Sequence, residues 1–236
     1  MRNVLQEKPR TYEQLHGRCR FCCDFVVPED LRNCAVLDIG CGFGWFERFA
    51  ARHAPQRLIG IEPKEEDLAA ARSVAGETRA EFLCAGAFQL PVPDAALDTV
   101  CLWDVIEHVP RGREPEMFAE IARVLRPGGH VYLSTPYRSF RSTVFDPAFW
   151  LIGHRHYTVA QLVALATPSG LRMTTSTRRG RCFELFGILN LYFSKWVLRR
   201  RPLLEDWFDR KQDEENGREG YMTVYVRFEK EQAANG

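Results

Sequence analysis

Residues 36–44, VLDIGCGFG, constrain the fold more than any other stretch of this 236-residue chain. An apolar run carries an acid at Asp38, glycines follow at Gly40, Gly42 and Gly44, and helical spacing begins at Trp45. Glycine is needed where a turn takes unusual φ values, or where a side chain would hold a ligand away from the backbone. A strand, a glycine turn and a helix in that order open a βαβ unit and so predict a parallel sheet.

The chain beyond it repeats this alternation. Short apolar runs at 35–39, 57–61, 80–84, 97–103 and 130–135, bounded by Gly, Pro or Asp, read as buried strands. Helical spacing at 45–52, 65–74 and 114–125 separates them, which predicts an α/β fold wound on both faces of the sheet. Arg126, Pro127, Gly128 and Gly129 are expected to stop the third helix and release the chain into the next strand. The pattern loosens through 137–157, then gives a helix at 158–166, a strand at 171–177, an apolar stretch at 183–198 and a last strand at 221–228. Residues 209–219 are almost all polar and are expected to form an exposed loop.

Charge excludes one class of partner. Lys and Arg total 32 against 31 for Asp and Glu, so no global field draws the chain to nucleic acid, and none is expected as a partner. No run of about 18 uncharged apolar residues occurs, and the first residues have no apolar stretch of signal-peptide length, so a cytoplasmic protein is expected. Of eight cysteines, Cys41, Cys84 and Cys101 lie in apolar runs, where a free thiol behaves as a small hydrophobe in a reducing compartment.

The second site element is Glu62, which closes the run LIGIE 22 residues beyond Gly40 and would stand beside the first strand. A carboxylate there accepts both hydroxyls of an adenosine ribose. Trp45 occupies the place where a dinucleotide fingerprint needs its third glycine. Asp38 would repel a diphosphate but suits a cationic amino group.

From about residue 34 to 137 the chain resembles the class I S-adenosylmethionine-dependent methyltransferases. VLDIGCGFG looks like their first motif, Glu62 like the ribose-binding acid, and AFQLPVPDAALDTV like the segment that cups adenine. CLWDVIEHV and LRPGGHVYLSTP are similar to their fourth- and fifth-strand motifs, most closely in the ubiquinone-biosynthesis O-methyltransferases. The resemblance implies a Rossmann-like, doubly wound, mostly parallel seven-stranded sheet with an antiparallel last strand, and S-adenosyl-L-methionine as cofactor. It implies a single methyltransferase domain over 1–236, made of a helical cap (1–33), a cofactor-binding core (34–136) and substrate-side insertions with the final strands (137–236). By position, the backbone of Gly40, Cys41 and Gly42 would meet the methionine moiety, Pro63 would pack on adenine, and Ala87 and Phe88 would face its edge. Trp103 and Asp104 would lie near the sulfonium and amino group, and Arg18 or Arg20 could reach the carboxylate. Gly86 departs from the pattern, since an acid often precedes the adenine-contacting Ala.

Transfer from a sulfonium needs chiefly alignment, with a general base where the acceptor is weakly acidic. His108 and His156 are the candidate catalytic residues, with His154 beside the second. Asp104, Glu107 and His108 share one helical turn in a way that suits a divalent metal, but the cofactor competes for Asp104, and no metal is expected. His16, Cys19, Cys22 and Cys23 lack a second ligand pair and are read as core rather than as zinc ligands. The stretch 185–201, LFGILNLYFSKWVLRRR, is read as packed on the domain or at a dimer interface in preference to peripheral membrane contact. The expected function is methylation of a small-molecule acceptor at oxygen by a monomer or homodimer, with Trp45, Trp103, Phe140, Phe145, Phe149 and Trp150 offering apolar surface or core. The alternatives are a methyltransferase of protein or RNA and a non-catalytic S-adenosylmethionine-binding scaffold.

Overall fold

Every residue of the first strand and of the run 97–103 is buried, which puts these two at the centre of the sheet. The computed structural model describes residues 11–151 and 153–232, so residues 1–10 of the expected cap lie outside them. In chain order the elements are α1 (Gly17–Phe25), β1 (Ala35–Ile39), α2 (Trp45–Ala50), β2 (Arg57–Glu62), α3 (Glu65–Arg72), α4 (Ala75–Thr78), β3 (Glu81–Cys84), β4 (Leu97–Trp103) and α5 (Glu114–Val124). There follow β5 (Leu125–Pro136), α6 (Phe140–Phe145), α7 (Pro147–Leu151), α8 (Val159–Ala166), β6 (Leu171–Arg179), α9 (Cys182–Phe193), α10 (Glu205–Asn216) and β7 (Thr223–Lys230).

The sheet runs β3-β2-β1-β4-β5-β7-β6. The first five are parallel, while β7 is antiparallel to both β5 and β6, giving a seven-stranded, mostly parallel, doubly wound α/β sheet. Alternate residues of each strand feed the two faces. Leu37, Ile39, Val100 and Leu102 join Met117, Phe118 and Ile121 of α5 in one core. Val36, Cys101 and Trp103 join Phe46 and Phe49 of α2, Leu68 of α3, and Cys22 and Cys23 of α1 in the other.

Two boundaries differ from the sequence expectation. The RPGG cluster ends α5 but forms no free loop, because the chain is already in β5 from Leu125, paired with Leu97, and a register shift before the Thr99–His130 pair absorbs the extra residues. The polar stretch expected as a loop lies largely within helix α10. Its acids fasten two other helices: Asp213 accepts from the Gly17 N–H at 2.7 Å and from His16 Nδ1 at 2.7 Å, at the start of α1. Glu215 accepts the N–H groups of Arg181, Phe183 and Glu184 at 2.7–3.0 Å, at the start of α9. These N–H groups have no partner within their own helix. Glu215→Ala is therefore expected to lower stability by about 0.5–2 kcal/mol, seen as a lower urea midpoint with an unchanged slope.

Candidate active site

The glycine turn leaves β1 with Gly40 at φ 75° and Gly42 at φ 51°. The N–H groups of Gly40 and Cys41 bond the Ile61 carbonyl at 2.8 and 3.0 Å, which folds the turn over the end of β2. A Cβ added at Gly40 would stand 2.6 Å from Val105 Cγ2, whereas one added at Gly42 would meet nothing within 4 Å. The first glycine is thus demanded by packing, and the second leaves its backbone open to a ligand. Glu62, at the end of β2, is half-buried and accepts hydrogen bonds from the backbone of Lys64, at 3.3 Å, and of Gly42. Burial raises its carboxyl above the usual range. The predicted ribose acid and the bare turn therefore lie side by side.

Beneath the turn, Asp38 is buried near Glu47 of α2, and its Oδ1 has no hydrogen-bond partner within the chain. Burial, with Glu47 and Glu62 nearby, drives the Asp38 carboxyl well upward, toward its neutral form. A bound cation would draw it back toward the charged form. Trp103 packs edge-on against Phe46 at 5.4 Å and is buried, with its indole N–H also unpartnered. Open backbone, a carboxylate at the turn and unsatisfied buried polar atoms fit an adenosyl ligand that carries a cationic amino acid.

The adenine side is more open. Pro63 is exposed, Ala87 and Phe88 are partly buried against the core, and the Arg113 guanidinium covers the Phe88 ring at 3.8 Å. Gly86 is exposed, and a Cβ there meets nothing within 4 Å. Gly86→Asp is expected to tighten S-adenosylmethionine binding about 2- to 10-fold by adding one acceptor for the exocyclic amine, as read by calorimetry.

A cavity of about 200 Å³ opens at the C-terminal edge of the sheet, lined by Asp104, His108, Asp146, His154, His156 and Glu184 among others. Open α/β sheets bind ligands at this edge. Asp104 takes φ 53° as a non-glycine, a costly conformation of the kind that clusters at functional sites. Its Oδ1 accepts from the Ser134 hydroxyl at 2.9 Å, and its Oδ2 pairs with Arg18 of α1 at 3.1 Å. Arg18 also approaches Glu184 at 3.8 Å, and burial pushes the Glu184 carboxyl up to about 7 against that attraction. Arg20, the other candidate for the cofactor carboxylate, lies over the Tyr12 ring at 3.7 Å and pairs with Asp24.

An extended segment supplies two of the histidines. Arg155 bonds Glu114 and the Ile106 carbonyl, and Tyr157 OH reaches the same carbonyl at 3.3 Å. With these alternate residues anchored, His154 and His156 line the cavity. His156 Nε2 bonds Asp146 at 2.9 Å, and its Nδ1 stands 3.3 Å from the Thr143 hydroxyl. The His154 ring stands edge-on to His108 at 4.4 Å, and its Nε2 is buried without a partner. Desolvation, with His108 nearby, pushes His154 down to about 4. Desolvation also holds His108 below the usual histidine range, opposed by Asp104.

The structure thus gathers Asp104, His108 and His156 at one cavity, and Asp38, Gly40, Gly42 and Glu62 at the adjoining turn. Glu107 is buried and accepts from the Thr135 hydroxyl at 2.9 Å. Among the described residues no three His, Cys, Asp or Glu side chains form a metal-holding group. Cys22 and Cys23 are core, as expected, but Cys19 is exposed and His16 is held by Asp213. Asp146, Glu184 and Tyr192 were not legible as cavity residues, because nothing in their spacing links them.

Sheet order, glycine turn and strand-end acid together define the class I methyltransferase fold. Residues 36–129 match the family described as "Methyltransferase domain". A "Probable S-adenosylmethionine-dependent methyltransferase" of Mycolicibacterium smegmatis is 33% identical over 138 residues, 58% of this chain and 52% of that protein. The "24-methylenesterol C-methyltransferase 2" of Oryza sativa is 34% identical over 103 residues, 42% of this chain and 28% of that protein. The solved S-adenosylmethionine-dependent methyltransferase of Mesorhizobium loti superposes with a TM-score of 0.64 at 18% identity, covering 92% of this chain and 99% of that one. The chain spans about half the length of the first of these relatives, and less of the second. Residues 36–129 thus match a methyltransferase domain within a class I methyltransferase fold, for which the cofactor is S-adenosyl-L-methionine.

Proposed function

We propose that the protein methylates a hydroxyl of a small, apolar-bodied acceptor held in the cavity beside Asp104. The observation that carries this reading is the convergence of His108, His154 and His156 on one cavity next to the glycine turn. When bound, S-adenosylmethionine supplies a methyl group already activated on sulfur. Glu62 would hold the ribose hydroxyls, the backbone of Gly40, Cys41 and Gly42 the methionine part, and Pro63, Ala87 and Phe88 the adenine. Asp38 and Asp104 supply negative charge for the amino group, and Trp103, packed against Phe46, supports the end of β4 from beneath.

His108, kept neutral by desolvation, takes the acceptor's proton as its oxygen bonds to the methyl carbon. The electron pair of the broken carbon–sulfur bond stays on sulfur, leaving S-adenosylhomocysteine. His156, oriented by Asp146 as in a histidine–carboxylate dyad, is the second candidate base. Ile188, Leu191 and Tyr192 offer apolar lining, in keeping with the sterol substrate class named for the rice relative. The proposed domain spans the whole chain, with α1 as cap and α6–α9 as acceptor wall.

The test is incubation with methyl-labelled S-adenosylmethionine and a cell extract separated by size and by extraction into solvent. Label in a small extractable product supports the reading. Label in protein or RNA assigns a macromolecular acceptor, and cofactor binding without transfer assigns a scaffold.

A further inference from the structure

Helix α9 is apolar on both faces. Glu184, Ile188 and Leu191 recur at helical spacing and line the cavity, with Tyr192 beside them. On the other side Phe186, Leu189 and Phe193 form a second stripe, and both phenylalanines are about half exposed, at 52% and 50%. A helix that is apolar all round is ordinarily buried. The outer stripe continues into the π-helical turn Ser194–Leu198, where Trp196 is 48% and Val197 64% exposed. Exposed Trp150 stands on α7, which packs against α9. Large apolar side chains exposed together on neighbouring elements mark an interaction site.

Charge selects the occupant. The apolar stripe ends in Lys195, Arg199, Arg200 and Arg201, all exposed. Apolar and aromatic side chains beside a basic cluster match a layer of acyl chains beneath anionic headgroups. A second copy of the same ridge would offer like charge to like charge. No helix among the described residues is long and apolar enough to cross a membrane, so the contact lies in the interface plane.

We propose that α9 and the turn after it dock this protein on an anionic lipid bilayer, with the inner face of the same helix walling the acceptor cavity. On the methyl-transfer reading proposed above, the acceptor is then an amphiphile drawn from the bilayer, its polar head beside Asp104 and its apolar body against Ile188 and Leu191.

Flotation with phosphatidylcholine vesicles, with and without phosphatidylglycerol, tests the docking apart from the chemistry. The wild-type chain is expected to float with the anionic vesicles and to detach as salt is raised. Replacing Arg199, Arg200 and Arg201 by Gln should weaken that partitioning roughly fivefold per charge. Phe193→Ser with Trp196→Ser should abolish it, while both variants bind S-adenosylhomocysteine as the wild type does in calorimetry, which shows that they are folded. Wild-type protein that stays unfloated with both vesicle types overturns the proposal. So does a concentration-dependent dimer, broken by Trp196→Ser, in protein that does not float. Loss of cofactor binding in the wild type would overturn the methyl-transfer reading and leave the docking result standing.

Discussion

Glu62→Ala is expected to weaken S-adenosylmethionine binding roughly a hundred- to a thousandfold. Each hydrogen bond from a ribose hydroxyl to a carboxylate contributes about 1.5–3 kcal/mol, and two are lost together. A tenfold change in affinity corresponds to about 1.4 kcal/mol, so even the smaller contributions sum to two orders of magnitude. The fold should survive, because the side chain is only half-buried and its partners within the chain are backbone N–H groups that water can satisfy. Glu62→Gln keeps one good acceptor and should fall between the two. Calorimetry reads all three proteins, with NAD as control. Heat with NAD and none with S-adenosylmethionine would overturn the cofactor assignment.

The second large effect is expected in the turnover of His108→Gln, lowered about 10²- to 10⁴-fold with cofactor affinity unchanged. The sign of its pH dependence follows from the base having to be neutral. Activity should fall as pH drops through the His108 pKa, and desolvation places that acidic limb below the ordinary value of 6.5. In His108→Gln the limb should vanish from the residual rate. If His156→Gln removed it instead, and His108→Gln kept it, the base would be His156, with Asp146 orienting it.

Much of this site was legible because its parts lie close together in sequence. Residues 36–44 and Glu62 belong to adjacent parallel strands, and the predicted run 97–103 is β4 without adjustment. The cavity beside Asp104 was less so. Asp104 follows β4, Asp146 follows α6 and Glu184 stands on α9, and only the folded chain brings them to one cavity. Trp103, expected as apolar surface, is instead buried against Phe46, because its place in β4 turns it to the face beneath α2. Helix α10 escaped for a different reason. Hydrophobic periodicity reports burial, and this helix is held largely by acids that cap its neighbours.

That helix has a mechanical consequence. Through Asp213 it holds α1, which sends Arg18 to Asp104, and through Glu215 it holds α9, which lines the cavity beside Asp104. The two helices therefore hang from one bracket. Displacing either loads the same joint, so displacements of α1 and α9 are expected to be coupled.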